Sequence, residues 1–127
     1  MTTPKAKLSG LALIAALCAG FTLGLTACAD ERARTAAETP QTEAAFNAGA
    51  AAYKRGDYAT ALREWRPLAE QGHAKAQYSL GNMYRDGLGV PQDYAQAHMW
   101  FNLAASRFPP GEYRDKAVKN RDNAARR

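Results

Sequence analysis

The feature that most constrains this chain is a motif that occurs twice, at a separation of 31 to 36 residues. Its first part repeats after 31 residues, at Tyr53 and Tyr84 and at Gly56 and Gly87. Its second part repeats after 36 residues, at Asp57 and Asp93, Tyr58 and Tyr94, Ala61 and Ala97, and Trp65 and Phe101. The difference of five residues places an insertion at 88–92, in a connection between helices, where a repeat tolerates it best. A unit of this length predicts a stack of helical hairpins.

The residues after each aspartate have the three- and four-residue spacing of an amphipathic helix. The apolar positions are Tyr58, Ala61, Leu62, Trp65, Leu68 and Ala69 in the first copy, and Tyr94, Ala97, Phe101, Ala104 and Ala105 in the second. Asp57 and Asp93 are predicted N-caps. Glycines at 56, 72, 87 and 89 are expected to end helices or flank the loop. Gly81 and Ala97 lack bulk, which lets two helix backbones approach closely.

This pattern resembles the Sel-one-like repeat, a relative of the tetratricopeptide repeat, over residues 74–105. The matching residues are Ala76, Leu80, Gly81, Tyr84, Gly87, Gly89, Val90, Asp93, Ala97, Trp100, Ala104 and Ala105. Residues 44–73 lack the insertion and resemble the tetratricopeptide variant. The resemblance implies an all-α protein, a short right-handed α-solenoid of antiparallel helix hairpins used for protein–protein contact.

The repeat breaks at Phe108-Pro109-Pro110-Gly111, so about two and a half repeats are expected, ending in a capping helix. The apolar line of that helix is predicted to be Tyr113, Ala117, Val118, Ala124 and Ala125. The chain has a net charge of +5, and residues 107–127 hold seven basic and three acidic side chains, a net +4. This segment is interpreted as a solubilising cap; attraction to an anionic surface or an acidic partner is the alternative.

The first 27 residues read as a lipoprotein signal peptide. Lys5 and Lys7 precede an uncharged apolar stretch at 8–25, and Leu25-Thr26-Ala27-Cys28 has the order of a lipoprotein processing box, which makes Cys28 the predicted lipidation site. Two alternatives stay open: a secretory peptide cut after Ala29, and an uncut membrane span, although the stretch is short and holds several small polar residues.

All three interpretations place the remainder outside the cytoplasm, at the periplasmic side of a membrane in the cell envelope. Residues 28–41 are polar and read as a flexible tether, and 42–127 as the repeat domain. The resemblance to bacterial lipoproteins implies that Ala29, directly after the lipidated cysteine, permits sorting to the outer membrane of a Gram-negative cell. The only cysteines, Cys18 and Cys28, lie in the signal segment and leave no disulfide for the fold.

The sequence shows no catalytic constellation, and we expect neither a metal nor a cofactor. His73 is expected to be exposed after Gly72, whereas His98 is expected to be packed in a helix. No metal-binding histidine pair, Gly-x-Ser-x-Gly setting or phosphate-binding loop occurs. We do not expect nucleic acid as a partner, because the export signal removes the chain from it and aromatic residues do not alternate with basic ones.

In repeats related to this one, the first helix of each hairpin lines a concave groove, and the resemblance implies the same here. The candidate protein-binding residues are Asn47, Lys54, Lys75, Tyr78, Asn82 and Arg85. Amide and basic side chains at these positions can hold a peptide backbone or a carboxylate. The alternative is an ordinary solvated helix face.

The expected function is therefore that of an exported, lipid-anchored repeat protein that binds or scaffolds other envelope proteins. Two rival functions are an accessory or regulatory domain for cell-wall enzymes that act on peptidoglycan, and a hydrolase. The missing pairing of nucleophile and base argues against the enzyme. A core this thin also predicts modest stability, or support from a partner or a second copy.

Overall fold

The computed structural model describes residues 39–127, and these form five α-helices without a strand. The helices are α1 (Pro40–Lys54), α2 (Tyr58–Glu70), α3 (Ala74–Asp86), α4 (Tyr94–Arg107) and α5 (Glu112–Ala125). Helices α1 and α2 form one hairpin, α3 and α4 form the second, and α5 begins a third. The predicted all-α solenoid of about two and a half repeats is confirmed.

The helix boundaries follow the signals in the sequence. Asp57 accepts a hydrogen bond from the Thr60 amide at 3.1 Å, and Asp93 accepts from the amides of Ala95 and Gln96 at 2.9 and 3.0 Å. Both predicted N-caps are therefore confirmed. Helix α1 begins at Pro40, two residues before the predicted domain boundary at residue 42. The predicted signal peptide, and the tether as far as residue 38, lie outside the described residues.

Aromatic rings hold the first hairpin together. Trp65 on α2 is 4% exposed, and its ring centroid lies 5.7 Å from that of Phe46 and 5.6 Å from that of Tyr53, both on α1. The indole Nε1 donates to the Phe46 carbonyl at 3.0 Å. Gly49 leaves the space that the indole occupies, because a Cβ at this position would lie 2.4 Å from Nε1. The two helices are thus antiparallel and close, as the repeat predicted.

The second hairpin uses the same arrangement with a different ring. Phe101 on α4 is fully buried and lies over Gly81 on α3, where an added Cβ would be 2.6 Å from the ring carbon Cε1. The Tyr78 ring is 5.5 Å from the Phe101 ring, centroid to centroid. Gly81 is therefore a point of close approach, but the group that approaches is the Phe101 ring and not, as predicted, a second helix backbone.

The two hairpins stack through polar and apolar contacts. The Gln77 side-chain amide on α3 donates to the Ala69 carbonyl at the end of α2, at 3.0 Å. In the loop between α3 and α4, Leu88 and Val90 pack against a core cluster to which α1, α2 and α3 all contribute. Gly89 in the same loop has φ +70°, and its backbone lies so close to Tyr58 that an added Cβ would be 2.9 Å from the Tyr58 Cβ. The inserted residues therefore join the second repeat to the first.

Helix α5 packs on α4 through small side chains. Ala117 and Ala124 are buried and Val118 is half-buried, as predicted. The prediction is wrong for Tyr113, which is 67% exposed, and for Ala125, which is also exposed. Tyr113 lies in the first turn of α5 and stacks on Phe108 of the preceding linker at 5.8 Å, so its ring leaves the interface with α4.

Candidate functional site

The first helices of the three repeat units share one face of the molecule, which we call the first-helix face and define by α1, α3 and α5. Lys75 on α3 reaches Glu43 on α1 with an Nζ–Oε1 distance of 3.1 Å. Asn120 on α5 donates from Nδ2 to the Tyr78 hydroxyl on α3 at 2.9 Å. These contacts place the three helices side by side, so a ligand crossing this face meets all three.

Two candidate residues on this face stand on α1. Asn47 and Lys54 are both exposed. They are seven residues apart, which is about two helical turns, so they project from the same side of the helix. Both side chains are accessible to a partner, one as an amide donor and acceptor and the other as a cation.

Lys75 is exposed but already paired with Glu43. The Lys75 hydrogen bond is the largest cause of the lowered pKa of the Glu43 carboxyl. The two side chains are 47% and 37% exposed, so the pair is a surface salt bridge and contributes at most about 1 kcal/mol. A partner carboxylate can therefore displace Glu43 from Lys75 at small cost.

Tyr78 and Arg85 are less available than the sequence indicated. Tyr78 is half-buried, with its hydroxyl bonded to Asn120 and its ring 6.4 Å from that of Phe108. Arg85 is half-buried, lies 5.9 Å above the Phe101 ring and donates from Nε and Nη2 to Asp86, both at 2.7 Å. This hydrogen bonding by Arg85 is the largest cause of the lowered pKa of the Asp86 carboxyl. Asn82, between them on α3, is half-buried.

A cleft of about 550 Å³ lies where the C-terminal ends of α3 and α5 meet, and we call it the α3–α5 cleft. Its lining residues are Arg85, Asp86, Gln92, Tyr94, Asn123, Ala124, Arg126 and Arg127. Among these residues, only Arg85 was a candidate predicted from the sequence. The excess of basic residues after position 106 was the available signal, but nothing in the sequence placed the end of α5 beside the end of α3.

The expectation that His73 is exposed is wrong. Its side chain is 2% exposed and caps α3, with Nδ1 accepting from the Ala76 amide at 3.3 Å. The Phe46 ring stacks on the imidazole at 5.3 Å, and Nε2 lies 3.4 Å from Glu43 Oε1. His73 is therefore a structural residue at the junction of the two hairpins. His98 is half-buried on α4.

Residues 39–127 also offer no metal site and no membrane-spanning helix. In this part of the chain, no three side chains of the His, Cys, Asp or Glu types are grouped so that they could hold a metal ion. No helix in it has the length and apolar character needed to cross a membrane. The predicted lipidation site, Cys28, lies outside the described residues.

Comparison with known proteins identifies the repeat. Residues 74–107 match the Sel1 repeat family, and this segment comprises α3, the inserted loop and α4. No solved structure gives a significant match. The resemblance inferred from the motif residues is confirmed for this segment.

Several curated proteins, among them the following three, are similar to parts of the chain. The Exopolysaccharide production negative regulator of Rhizobium leguminosarum bv. viciae is 39% identical over 67 residues, which is 52% of this chain and 25% of that protein. The protein of the same name from Rhizobium meliloti (strain 1021) is 35% identical over 69 residues, 54% and 26% of the two chains. DAP3-binding cell death enhancer 1 of Rattus norvegicus is 39% identical over 54 residues, 42% and 11%. The chain therefore matches about a quarter or less of each relative's length.

Proposed function

Because residues 74–107 form a Sel1 repeat, a fold that mediates protein–protein contact, we propose that this chain is an exported, lipid-anchored adaptor that binds or scaffolds other cell-envelope proteins. The binding surface in this proposal is the first-helix face of α1, α3 and α5. The anchor is a lipid on Cys28 at the periplasmic side of a membrane, with the outer membrane favoured by Ala29.

One observation carries the binding part of the proposal. The first-helix face presents side chains that are polar, accessible and not required by the core, of which Asn47 and Lys54 are the clearest. Amide groups match the alternating donors and acceptors of a peptide backbone, and ammonium groups attract carboxylates. The relatives support the same class of function, because one is named for binding another protein and two are named as regulators.

Crosslinking in intact cells tests the binding surface. The chain with Asn47→Ala, Lys54→Ala and Asn82→Ala loses one cation and two amides from the first-helix face. We expect its crosslinked complexes to fall about tenfold in yield, since each exposed polar contact contributes up to about 1 kcal/mol. Mass spectrometry of the complexes captured by the unaltered chain identifies the partner.

A matched control removes the same groups from the second helices. Arg63, Gln71 and Gln96 are exposed residues on α2, at its C-terminal end and on α4. The triple variant Arg63→Ala, Gln71→Ala and Gln96→Ala should retain its complexes. Equal losses in both variants, or no loss in the first, would show that the partner binds elsewhere.

The anchor has its own test. In a bacterial host supplied with labelled palmitate, the full chain should carry the label and fractionate with the outer membrane. Cys28→Ser should abolish labelling, because the thioether needs the thiol, whereas Cys18→Ser should leave it intact. An unlabelled parent chain, or label that depends on Cys18, would refute lipidation at Cys28.

A further inference from the structure

The α3–α5 cleft has an excess of positive side-chain charge. Among its lining residues, Asp86 is the one acidic side chain, and Arg85 neutralises it at 2.7 Å. Arg126 and Arg127 also line the cleft, are exposed, and form no ion pair with another side chain of residues 39–127. Counting side chains alone, the cleft therefore carries two surplus positive charges.

The helix ends at the cleft reduce this surplus without reversing it. Each helix C-terminus carries about half a negative charge on its free carbonyl groups. At the end of α3, however, the carbonyls are occupied: Leu88 N donates to Met83 O at 2.9 Å, Asp93 N donates to Tyr84 O at 2.9 Å, and Gln92 Nε2 donates to Arg85 O at 2.8 Å. The carbonyl groups at the end of α3 are therefore already paired, and the positive charge of the cleft comes from the arginine side chains that line it.

Arg85 is held in position by its surroundings. The Phe101 ring lies beneath its guanidinium at 5.9 Å, and Asp86 binds Nε and Nη2. Nη1 donates no hydrogen bond to any side chain or backbone group of the described residues, so it is free to bind a ligand. A guanidinium fixed in this way loses little entropy when it donates a hydrogen bond to an additional oxygen.

The neutral groups of the cleft favour a single carboxylate over a flat anionic surface. Gln92, Tyr94 and Asn123 supply amide and hydroxyl groups around the arginines, within a recess of about 550 Å³. A carboxylate on a side chain can enter such a recess and receive several hydrogen bonds. Lipid head groups in a bilayer would meet only the rim, where exposed charges contribute little.

We propose that the α3–α5 cleft binds the carboxylate of an Asp or Glu side chain in the protein segment that occupies the first-helix face. This assignment depends on the proposed function for the presence of that segment. It adds the chemistry of the partner, which is an acidic segment, and the position of its anchor, which is the C-terminal end of the face.

Fluorescence anisotropy of the full chain with three synthetic peptides tests the assignment. The probes are labelled peptides of alternating Asp and Ser, Asn and Ser, or Lys and Ser. We expect the Asp peptide to bind most tightly. The variant Arg126→Gln/Arg127→Gln should weaken its binding about tenfold, the usual effect of losing charge-assisted hydrogen bonds. The control Arg63→Gln/Arg107→Gln removes the same charge from exposed positions on α2 and α4, outside both the cleft and the first-helix face, and should change binding less than about twofold.

Four results would overturn the assignment: no binding of the Asp peptide, equal binding of the Asn peptide, equal weakening by both double variants, and binding of vesicles of phosphatidylglycerol and phosphatidylcholine that the cleft variant abolishes. The last result would identify the cleft as a membrane contact. None of these results depends on the crosslinking yield of the Asn47, Lys54 and Asn82 variant, so the proposed function can stand or fail separately.

Discussion

Replacing Phe101 with alanine is expected to lower the free energy of unfolding by about 3–5 kcal/mol. The ring is fully buried, packs on Gly81 and Tyr78, and supports the Arg85 guanidinium. Since domains of this size are generally stable by only about 5–15 kcal/mol, this loss removes a large share of the stability of the fold. Urea unfolding followed by far-ultraviolet circular dichroism measures the change.

A second substitution makes this prediction sharper. In the parent chain, Gly81→Ala places a Cβ within 2.6 Å of the Phe101 ring and should destabilise the fold by about 1–3 kcal/mol. In the Phe101→Ala background the clash is gone, and alanine should stabilise α3 by up to about 1 kcal/mol, because it is the better helix former. If Gly81→Ala changes the free energy of unfolding in the same direction in both backgrounds, the Phe101 ring does not occupy the space above Gly81.

Trp65→Ala is expected to have an effect of similar size, about 3–5 kcal/mol, on the first hairpin. The indole is 4% exposed, stacks with Phe46 and Tyr53, and donates to the Phe46 carbonyl. Its removal leaves a cavity between α1 and α2 and deprives that carbonyl of its donor. The midpoint of urea unfolding, again followed by circular dichroism, reports the loss.

Trp65→Phe separates the two contributions. Phenylalanine retains much of the apolar volume and loses the N–H, so we expect a loss of about 1–3 kcal/mol. If Trp65→Phe were as damaging as Trp65→Ala, the hydrogen bond would dominate. If Trp65→Ala cost less than about 1 kcal/mol, the indole would not be the centre of the first core.

The parts of the fold that depend on neighbouring residues could be predicted from the sequence. Asp57 and Asp93 cap the helices that directly follow them, and the apolar spacing of α2 and α4 identified most of their buried residues, Trp65 and Phe101 included. Each of these features is set by backbone geometry within a few residues. The spacing of the motif then supplied the pairing of the helices, because equivalent residues must occupy equivalent places in each hairpin.

Features that depend on distant residues could not be predicted in this way. His73 follows a glycine in a turn and looks exposed in sequence, but Phe46, from the preceding hairpin, stacks on it. Tyr113 fits the apolar line of α5, yet the linker ring of Phe108 draws it away from the interface with α4. The first contact joins two hairpins and the second joins α5 to the linker just before it, so neither lies within the periodic spacing of a single helix.

For the candidate site, too, helical spacing predicted some features and missed the contacts made between side chains. Helical spacing correctly placed Asn47 and Lys54 at exposed positions on α1, and Lys75 at an exposed position on α3. It did not show that Asn120 covers the Tyr78 hydroxyl, or that Asp86 occupies two donors of Arg85. Whether the accessible residues bind a partner stays a prediction for the crosslinking variants.

The loop that follows α3 has a consequence for how the chain comes apart. In long helical arrays each unit touches only its neighbours, and units at the end can unravel first. Here Leu88 and Val90 pack against a core cluster shared by α1, α2 and α3, and Gly89 abuts Tyr58 at the start of α2. The loop therefore couples the two hairpins, and separating one of them exposes the buried residues of the other. Amide protons of α2 and α4 should therefore exchange with solvent in a single concerted event.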